Sequence, residues 1–156
     1  MFTGSYFNSV DEKSRVFIPI KFRYSIGERV WLSKGVDNCL YLFTLDSWPG
    51  FVDEYVANRT LTDINARKLQ RFLLGGSHEL VIDGSGRIKL PQDHIDYTGI
   101  GKDVVFVGCG DRIEIWGAEA YAKEMDPKTL DPNLLMSSAA PAAKGDSGAV
   151  LASERD

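Results

Sequence analysis

Asp11-Glu12-Lys13-Ser14-Arg15-Val16-Phe17-Ile18-Pro19 returns further along the chain as Asp83-Gly84-Ser85-Gly86-Arg87-Ile88-Lys89-Leu90-Pro91, at an offset of 83 − 11 = 72 residues. Both stretches read Asp-x-x-x-Arg, apolar, any residue, apolar, Pro. The pattern describes a polar, turn-prone loop leading into a short strand, with the Arg where loop becomes strand. Proline closes each unit, since it pushes the residue before it toward extended backbone and suits the start of a helix.

The likeness continues outward. Gly35, Leu40, Leu42, Phe43 and Trp48 line up with Gly108, Ile113, Ile115, Trp116 and Tyr121 at an offset of 108 − 35 = 73. The chain is therefore an internal duplication. Two copies of roughly fifty residues are too few for a solenoid, so they must bury their apolar faces against each other.

Tandem Asp-x-x-x-Arg loops in a chain of this length resemble the MraZ family of bacterial transcriptional regulators. Met1-Phe2-Thr3-Gly4, Asp37-Asn38-Cys39-Leu40 and Arg112-Ile113-Glu114-Ile115-Trp116 extend the resemblance over about residues 1 to 124. It implies a β-rich α+β fold, a tandem-duplicated AbrB/MazE-like swapped-hairpin barrel with short helices, its copies intertwined about a pseudo-two-fold axis. It further implies ring-like homo-oligomers, association with the nucleoid, and repression at the promoter of the division and cell-wall operon. The family usually carries Gly where this chain has Ser14, because the tight loop favours positive φ; a different shape is therefore expected for the first loop.

Hydrophobic periodicity and turn residues predict strands at 5–10 and 16–18, a helix at 19–26, strands at 30–33 and 40–43, and a helix capped by Asp46. A helix at 62–74 places Ile64, Leu69, Phe72 and Leu73 on one side and Arg67, Lys68 and Arg71 on the other. The plan then repeats, with strands at 79–82 and 87–90, a helix at 91–98, strands at 103–107 and 112–116, and a helix at 118–125. Residues 1–125 are thus read as one domain of two repeats, about 5–53 and 77–125, joined by the helix at 62–74. The tail 126–156 has three prolines, six alanines and no aromatic residue. Such a segment is expected to stay disordered, because it buries too little apolar surface to offset the entropy of ordering.

At 156 residues, 44% apolar and 26% charged, the composition is that of a globular domain. A net charge of −4 excludes a protein that coats nucleic acid through bulk charge. Basic residues are concentrated locally: residues 11–34 hold six Lys or Arg against three acidic residues, and 58–72 hold four against one. Cys39 and Cys109 lack metal-ligand spacing and read as reduced thiols. No apolar run reaches the ~20 residues of a membrane span, and no secretion signal opens the chain. A cytoplasmic protein is expected, without a membrane partner.

Enzyme chemistry finds no support. His78 and His94 are the only histidines and read as surface or locally hydrogen-bonded groups; no nucleophile, phosphate-loop or zinc motif is present. Asp83-Gly84-Ser85-Gly86 lacks the acidic ligands of a calcium loop. No metal, cofactor or small-molecule substrate is expected.

Arg15 and Arg87 are the principal candidates for DNA contact, since a guanidinium fork matches the O6 and N7 acceptors of guanine and also clasps phosphate. The alternative is that each only pairs with the Asp four positions earlier. Asp11 and Asp83, with Gly84 and Gly86, are read as structuring the loops, because a carboxylate facing phosphate is repelled whereas one in a turn accepts backbone amides. Lys13, Ser14, Ser85 and Lys89 flank the arginines and can contact phosphate, with Lys21 and Arg23 as weaker candidates. The partner expected is double-stranded DNA carrying direct repeats, bound by a homo-oligomeric ring. An antitoxin-like protein-binding module and a ring-forming scaffold remain open.

Overall fold

Each Asp-x-x-x-Arg loop delivers a three-residue strand, and these two strands pair with each other. In the computed structural model, which describes residues 1–141, strand β2 (Arg15–Phe17) runs antiparallel to β6 (Arg87–Lys89), with Val16 opposite Ile88. The partners are 88 − 16 = 72 residues apart, the repeat offset itself. An antiparallel pair in which a residue faces its own repeat has a local two-fold axis at that point.

The remaining strands form one antiparallel sheet in the order β1-β7-β8-β4-β3-β5. They are β1 (Ser5–Ser9), β3 (Arg29–Lys34), β4 (Leu40–Thr44), β5 (His78–Val81), β7 (Asp103–Gly108) and β8 (Ile113–Gly117). Strands β4 and β8 meet at the centre with Tyr41 opposite Glu114, again a residue facing its repeat. The edges are exchanged: β1 of the first copy pairs with β7 of the second, and β5 of the second pairs with β3 of the first. The fold is sheet-rich α+β. It differs from the expected barrel in remaining open, because β2 and β6 pair only with each other and leave β1 and β5 as the edges of the sheet.

The registers also correct the alignment of the repeats. Val30 pairs with Thr44, and Val104 with Gly117, so the β3/β7 offset is 104 − 30 = 74. Gly35 N–H bonds to the Cys39 carbonyl at 2.7 Å, and Cys109 N–H to Arg112 at 2.9 Å. The structural counterpart of Gly35 is thus Cys109 rather than Gly108, and the second turn is one residue shorter. The earlier gain of two residues lies where helix α1 (Ile20–Arg23) is matched by the longer α4 (Gln92–Thr98).

The sheet is covered on both faces. Val16, Ile18, Ile88 and Leu90, from below the β2–β6 ribbon, pack on Leu32, Leu40, Leu42, Phe106, Ile113 and Ile115. Burying one such side chain is worth roughly 1.5–3 kcal/mol. Tyr41, Phe43, Trp48 and Trp116 form an aromatic cluster with Val105. Glu114 is buried beside them, and its charge is satisfied by Arg112 Nη2 at 2.7 Å and Trp116 Nε1 at 2.9 Å. Burial without such partners would be strongly unfavourable.

Helix α2 (Ser47–Val52) continues into a π-helical turn (Asp53–Ala57), and α3 (Ile64–Leu73) follows. Asp46 does not cap α2 through its side chain; Thr44 Oγ1 accepts the Ser47 N–H at 3.0 Å instead. Asp63 caps α3 by accepting from Asn65 N–H. Ala66 and Leu73 are its buried residues, while Ile64 is exposed, unlike the expectation.

One compact unit spans Met1–Ala122, and a second begins at Lys123, within α5 (Ala118–Glu124). The second unit contains α6 (Pro132–Ser138), where composition led to the expectation of disorder. Local chemistry explains it: Asp131 accepts from Asn133 N–H at 3.0 Å, and Pro132 opens the helix, while Leu134, Leu135 and Met136 stay exposed. The remainder of the expected disordered tail, 142–156, lies outside the described residues.

Because the edge strands are exchanged, neither copy completes a sheet alone. Fragments 1–75 and 76–156, produced separately, are expected to give no folded monomer, whereas an equimolar mixture regains strand circular dichroism. A single fragment that unfolds cooperatively as a monomer would contradict the exchange.

Candidate nucleic-acid interface

The two loops have the same hydrogen-bond plan despite sharing only Asp and Arg. Asp11 Oδ1 accepts from Lys13 N–H and Arg15 N–H, both at 2.9 Å, and its Oδ2 accepts from Arg15 Nε at 2.8 Å. Asp83 Oδ1 accepts from Ser85 N–H and Arg87 N–H, both at 2.9 Å, and its Oδ2 from Arg87 Nε at 2.8 Å. The Arg15 and Arg87 backbone amides are the largest cause holding the respective carboxyls below the usual aspartate range. Each aspartate thus closes its loop by accepting two backbone amides.

Pairing with aspartate uses only part of each guanidinium. Nε is committed to aspartate, which fixes the plane of the guanidinium. Among the described residues, the terminal amino groups of Arg15 and Arg87 donate no hydrogen bond; Arg87 Nη1 makes a long ion pair with Asp11 Oδ2 at 3.9 Å. A planar donor fork held in position from behind is suited to a bidentate acceptor.

Strand alternation places these groups together. Val16 and Ile88 point into the core, so Arg15, Phe17, Arg87 and Lys89 share the outward face of the ribbon. Arg15 lies opposite Lys89, and Phe17 opposite Arg87. Lys13, Gly84 and Ser85 are exposed at the loop tips, and Ser14 is half-buried. The Ser14 carbonyl accepts from Leu90 N–H at 2.8 Å and the Gly86 carbonyl from Ile18 N–H at 3.0 Å, so each loop is tied to the opposite strand.

Ser14 keeps the loop shape rather than changing it, and does so at φ +62°, while Gly86 sits at φ +92°. The reason one loop tolerates a side chain lies across the axis. Arg23, on α1, donates from Nε to the Ile18 carbonyl at 3.0 Å and from Nη1 to the Ser85 carbonyl at 3.1 Å, filling the space that a Cβ on Gly86 would need. The repeat partner of Arg23 is Ile95, at 95 − 23 = 72, which lines a cleft with Ser14 and makes no such staple. Arg23 is thus structural, a role the sequence pattern did not reveal, while Lys21 is exposed on α1. Of the basic side of α3, Arg67 is used locally, donating to the Leu61 carbonyl at 3.0 Å.

Of the two expected settings, surface or hydrogen-bonded, His94 has the second: it is fully buried, with Nε2 2.6 Å from the Gly76 carbonyl. His78 Nε2 lies 3.1 Å from Asp93. His78, Asp93 and His94 offer ligand atoms within 4.8 Å of one another, but both Nε2 atoms already have partners, and the trio ties α4 to β5 and to the turn after α3. Both cysteines are free thiols, and burial pushes the pKa of each up. No helix among the described residues is long and apolar enough to cross a membrane.

Ser14→Gly is expected to raise stability by about 0.5–1 kcal/mol in urea denaturation, the relief of a left-handed serine exceeding the entropy lost. Gly86→Ser should lower it by ~2 kcal/mol or more, since it adds backbone strain and displaces Arg23; equal effects at the two positions would contradict the Arg23 staple. Burial lowers the His94 pKa below its ordinary 6.5. The unfolded chain therefore takes up a proton that the folded one refuses, and stability falls as pH drops below 6.5 until the folded value is reached. His94→Gln should flatten that slope in melting temperature against pH.

Comparison with known proteins agrees with this duplication. A family model described as "MraZ protein, putative antitoxin-like" matches residues 1–72 and again 73–129. A protein of Clostridium tetani named Transcriptional regulator MraZ is 41% identical over 126 residues, covering 81% of this chain and 88% of its own. One of the same name from Clostridium acetobutylicum is 38% identical over 135 residues, covering 86% and 94%. A third, from Caldicellulosiruptor bescii, is 41% identical over 130 residues, covering 83% and 90%. With both halves matched by one model and relatives spanning most of its length, the chain belongs to the MraZ family, a family of transcriptional regulators and not of enzymes.

Proposed function

We propose that this protein is a sequence-specific DNA-binding transcriptional regulator that reads short direct repeats through the outward face of its β2–β6 ribbon. The observation that carries the reading is the pair of guanidinium groups, each anchored to aspartate through Nε with its terminal amino groups available, on one face of a two-stranded ribbon. A two-stranded β-ribbon fits the major groove, and Arg bidentate to guanine is its commonest specific contact. Lys13, Ser14, Ser85 and Lys89 supply phosphate contacts that set register. The exchanged strands support a swapped-hairpin unit of the AbrB/MazE kind.

Two arginines give only a few kcal/mol of discrimination, whereas specific regulators exceed their own non-specific binding by about 4–10 kcal/mol. Several ribbons must therefore act together in one homo-oligomeric ring, where tethering raises the effective concentration of each. A ring closed by heterologous contacts repeats its subunits in one rotational sense and calls for direct repeats about 10 base pairs apart. The regulated site is the promoter of the division and cell-wall operon, including the protein's own, with repression as the outcome in a cytoplasmic, nucleoid-associated protein. A second reading, an antitoxin-like module that binds a protein partner, is favoured by the exposed Leu134, Leu135 and Met136 of α6.

Gel shift with the protein's own upstream region separates these readings from a scaffold without a DNA role. Arg15→Ala and Arg87→Ala should each weaken specific binding by roughly 1–3 kcal/mol with little loss of melting temperature. Lysine replacements should restore affinity more than specificity. Wild-type affinity in either alanine variant, with a lower melting temperature, would leave that arginine a purely structural role. Affinity should climb steeply from one box to three, and a protein that binds one box as tightly as three would contradict the ring.

A further inference from the structure

We propose that Phe17 is a specificity-determining residue that takes the C5-methyl of a thymine beside the guanine read by Arg87, and so gives the ribbon a direction along DNA. The inference rests on the DNA-binding reading above and goes beyond it.

The outward face of the ribbon carries four side chains, and only half of them obey the two-fold axis. Arg15 and Arg87 are repeat partners, but the partner of Phe17, at 17 + 72 = 89, is Lys89. Phe17 is 46% exposed between Val16 and Ile18, which are both fully buried, so the core does not require an aromatic ring at that position. Its backbone is held in place by Asn8, whose Nδ2 donates to the Phe17 carbonyl at 2.7 Å. Arg87 Cζ lies 5.6 Å from the centroid of the Phe17 ring, within the range of a cation–π contact. Arg87 is therefore steadied by both Asp83 and Phe17, whereas Arg15 has Lys89 as its cross-strand neighbour.

These two ends offer different chemistry to a groove. Arg87 with Phe17 presents a donor fork beside an apolar surface, the match for a guanine next to a thymine methyl. Arg15 with Lys89 presents two cations, the match for guanine and phosphate, with no apolar surface for a methyl. A two-fold ribbon would favour inverted half-sites. One whose ends differ binds in a single orientation, which is what a row of direct repeats demands.

Thymidine and deoxyuridine differ only in the methyl group, so the test replaces each thymidine of a repeat-bearing upstream duplex in turn with deoxyuridine and measures affinity for the full-length protein. One position per box should lose about fourfold in affinity, from ~0.8 kcal/mol per buried methyl-sized group. Phe17→Ser should bind thymine and uracil duplexes alike while keeping its preference for guanine, and Phe17→Leu should retain part of the discrimination. Phe17→Lys, which makes the face two-fold, should bind inverted boxes as well as direct ones. Binding without thymine discrimination at any position, or discrimination that survives Phe17→Ser, overturns this proposal alone. A Phe17→Ser protein whose assembled mass changes while its thymine preference stays would make Phe17 a contact between copies, and overturns it too. Failure of the wild-type protein to bind any duplex overturns the DNA-binding reading and this proposal with it.

Discussion

Antiparallel pairing of a strand with its own repeat is the constraint from which the rest of the molecule follows. Val16 faces Ile88 and Tyr41 faces Glu114, so the two-fold relation is written into backbone hydrogen bonds rather than into side-chain complementarity. Once β2 and β6 are locked together, alternation forces Arg15, Phe17, Arg87 and Lys89 to one face and Val16 and Ile88 to the other. A slip of one residue would bury the guanidinium groups and expose the core. The spacing of the two arginines is thus set by strand geometry, and the hydrophobic energy of the core beneath enforces it.

The aspartates solve a second problem. An arginine free in solution loses side-chain entropy when it docks, on the order of 2 kcal/mol. Holding Nε against Asp11 or Asp83 orders the guanidinium plane before any partner arrives, and the same carboxylates close the loops by accepting backbone amides. Duplication then permits the halves to diverge. Arg23 staples the second loop over Gly86, Ile95 leaves the first loop room for Ser14, and Phe17 and Lys89 make the ends of the ribbon chemically different.

Most of the secondary structure was legible because the duplicated pattern repeats each signal: alternation marks β1 and β5, proline opens α1 and α4, and Asp-x-x-x-Arg marks both loops. The pairing of Asp with Arg at four residues was legible for the same reason, though whether it excluded a further role for Arg was not. What sequence concealed depends on contacts between distant segments. The exchange of β1 and β5 was expected only through the family resemblance, and the open edges of the sheet, the burial of His94 against Gly76 and the service of Arg23 to the opposite loop have no local signature. Helix α6 escaped because composition over a whole tail averages away one good cap, Asp131 with Pro132. Gly35 was matched to the wrong partner because the α1/α4 and hairpin lengths changed in opposite directions and left an apparent offset of 73.

The most direct measurement concerns the arginine side chains themselves. The Nε–H groups of Arg15 and Arg87 are hydrogen-bonded at 2.8 Å, which slows their exchange with water and makes them observable by nitrogen–proton NMR. On titration with duplex DNA from the upstream region, both resonances are expected to shift and saturate together, while those of Arg23, held on Ile18, and Arg112, held on Glu114, stay in place. Saturable binding that moves other arginines and leaves Arg15 and Arg87 unshifted would contradict a reading head built on the β2–β6 ribbon.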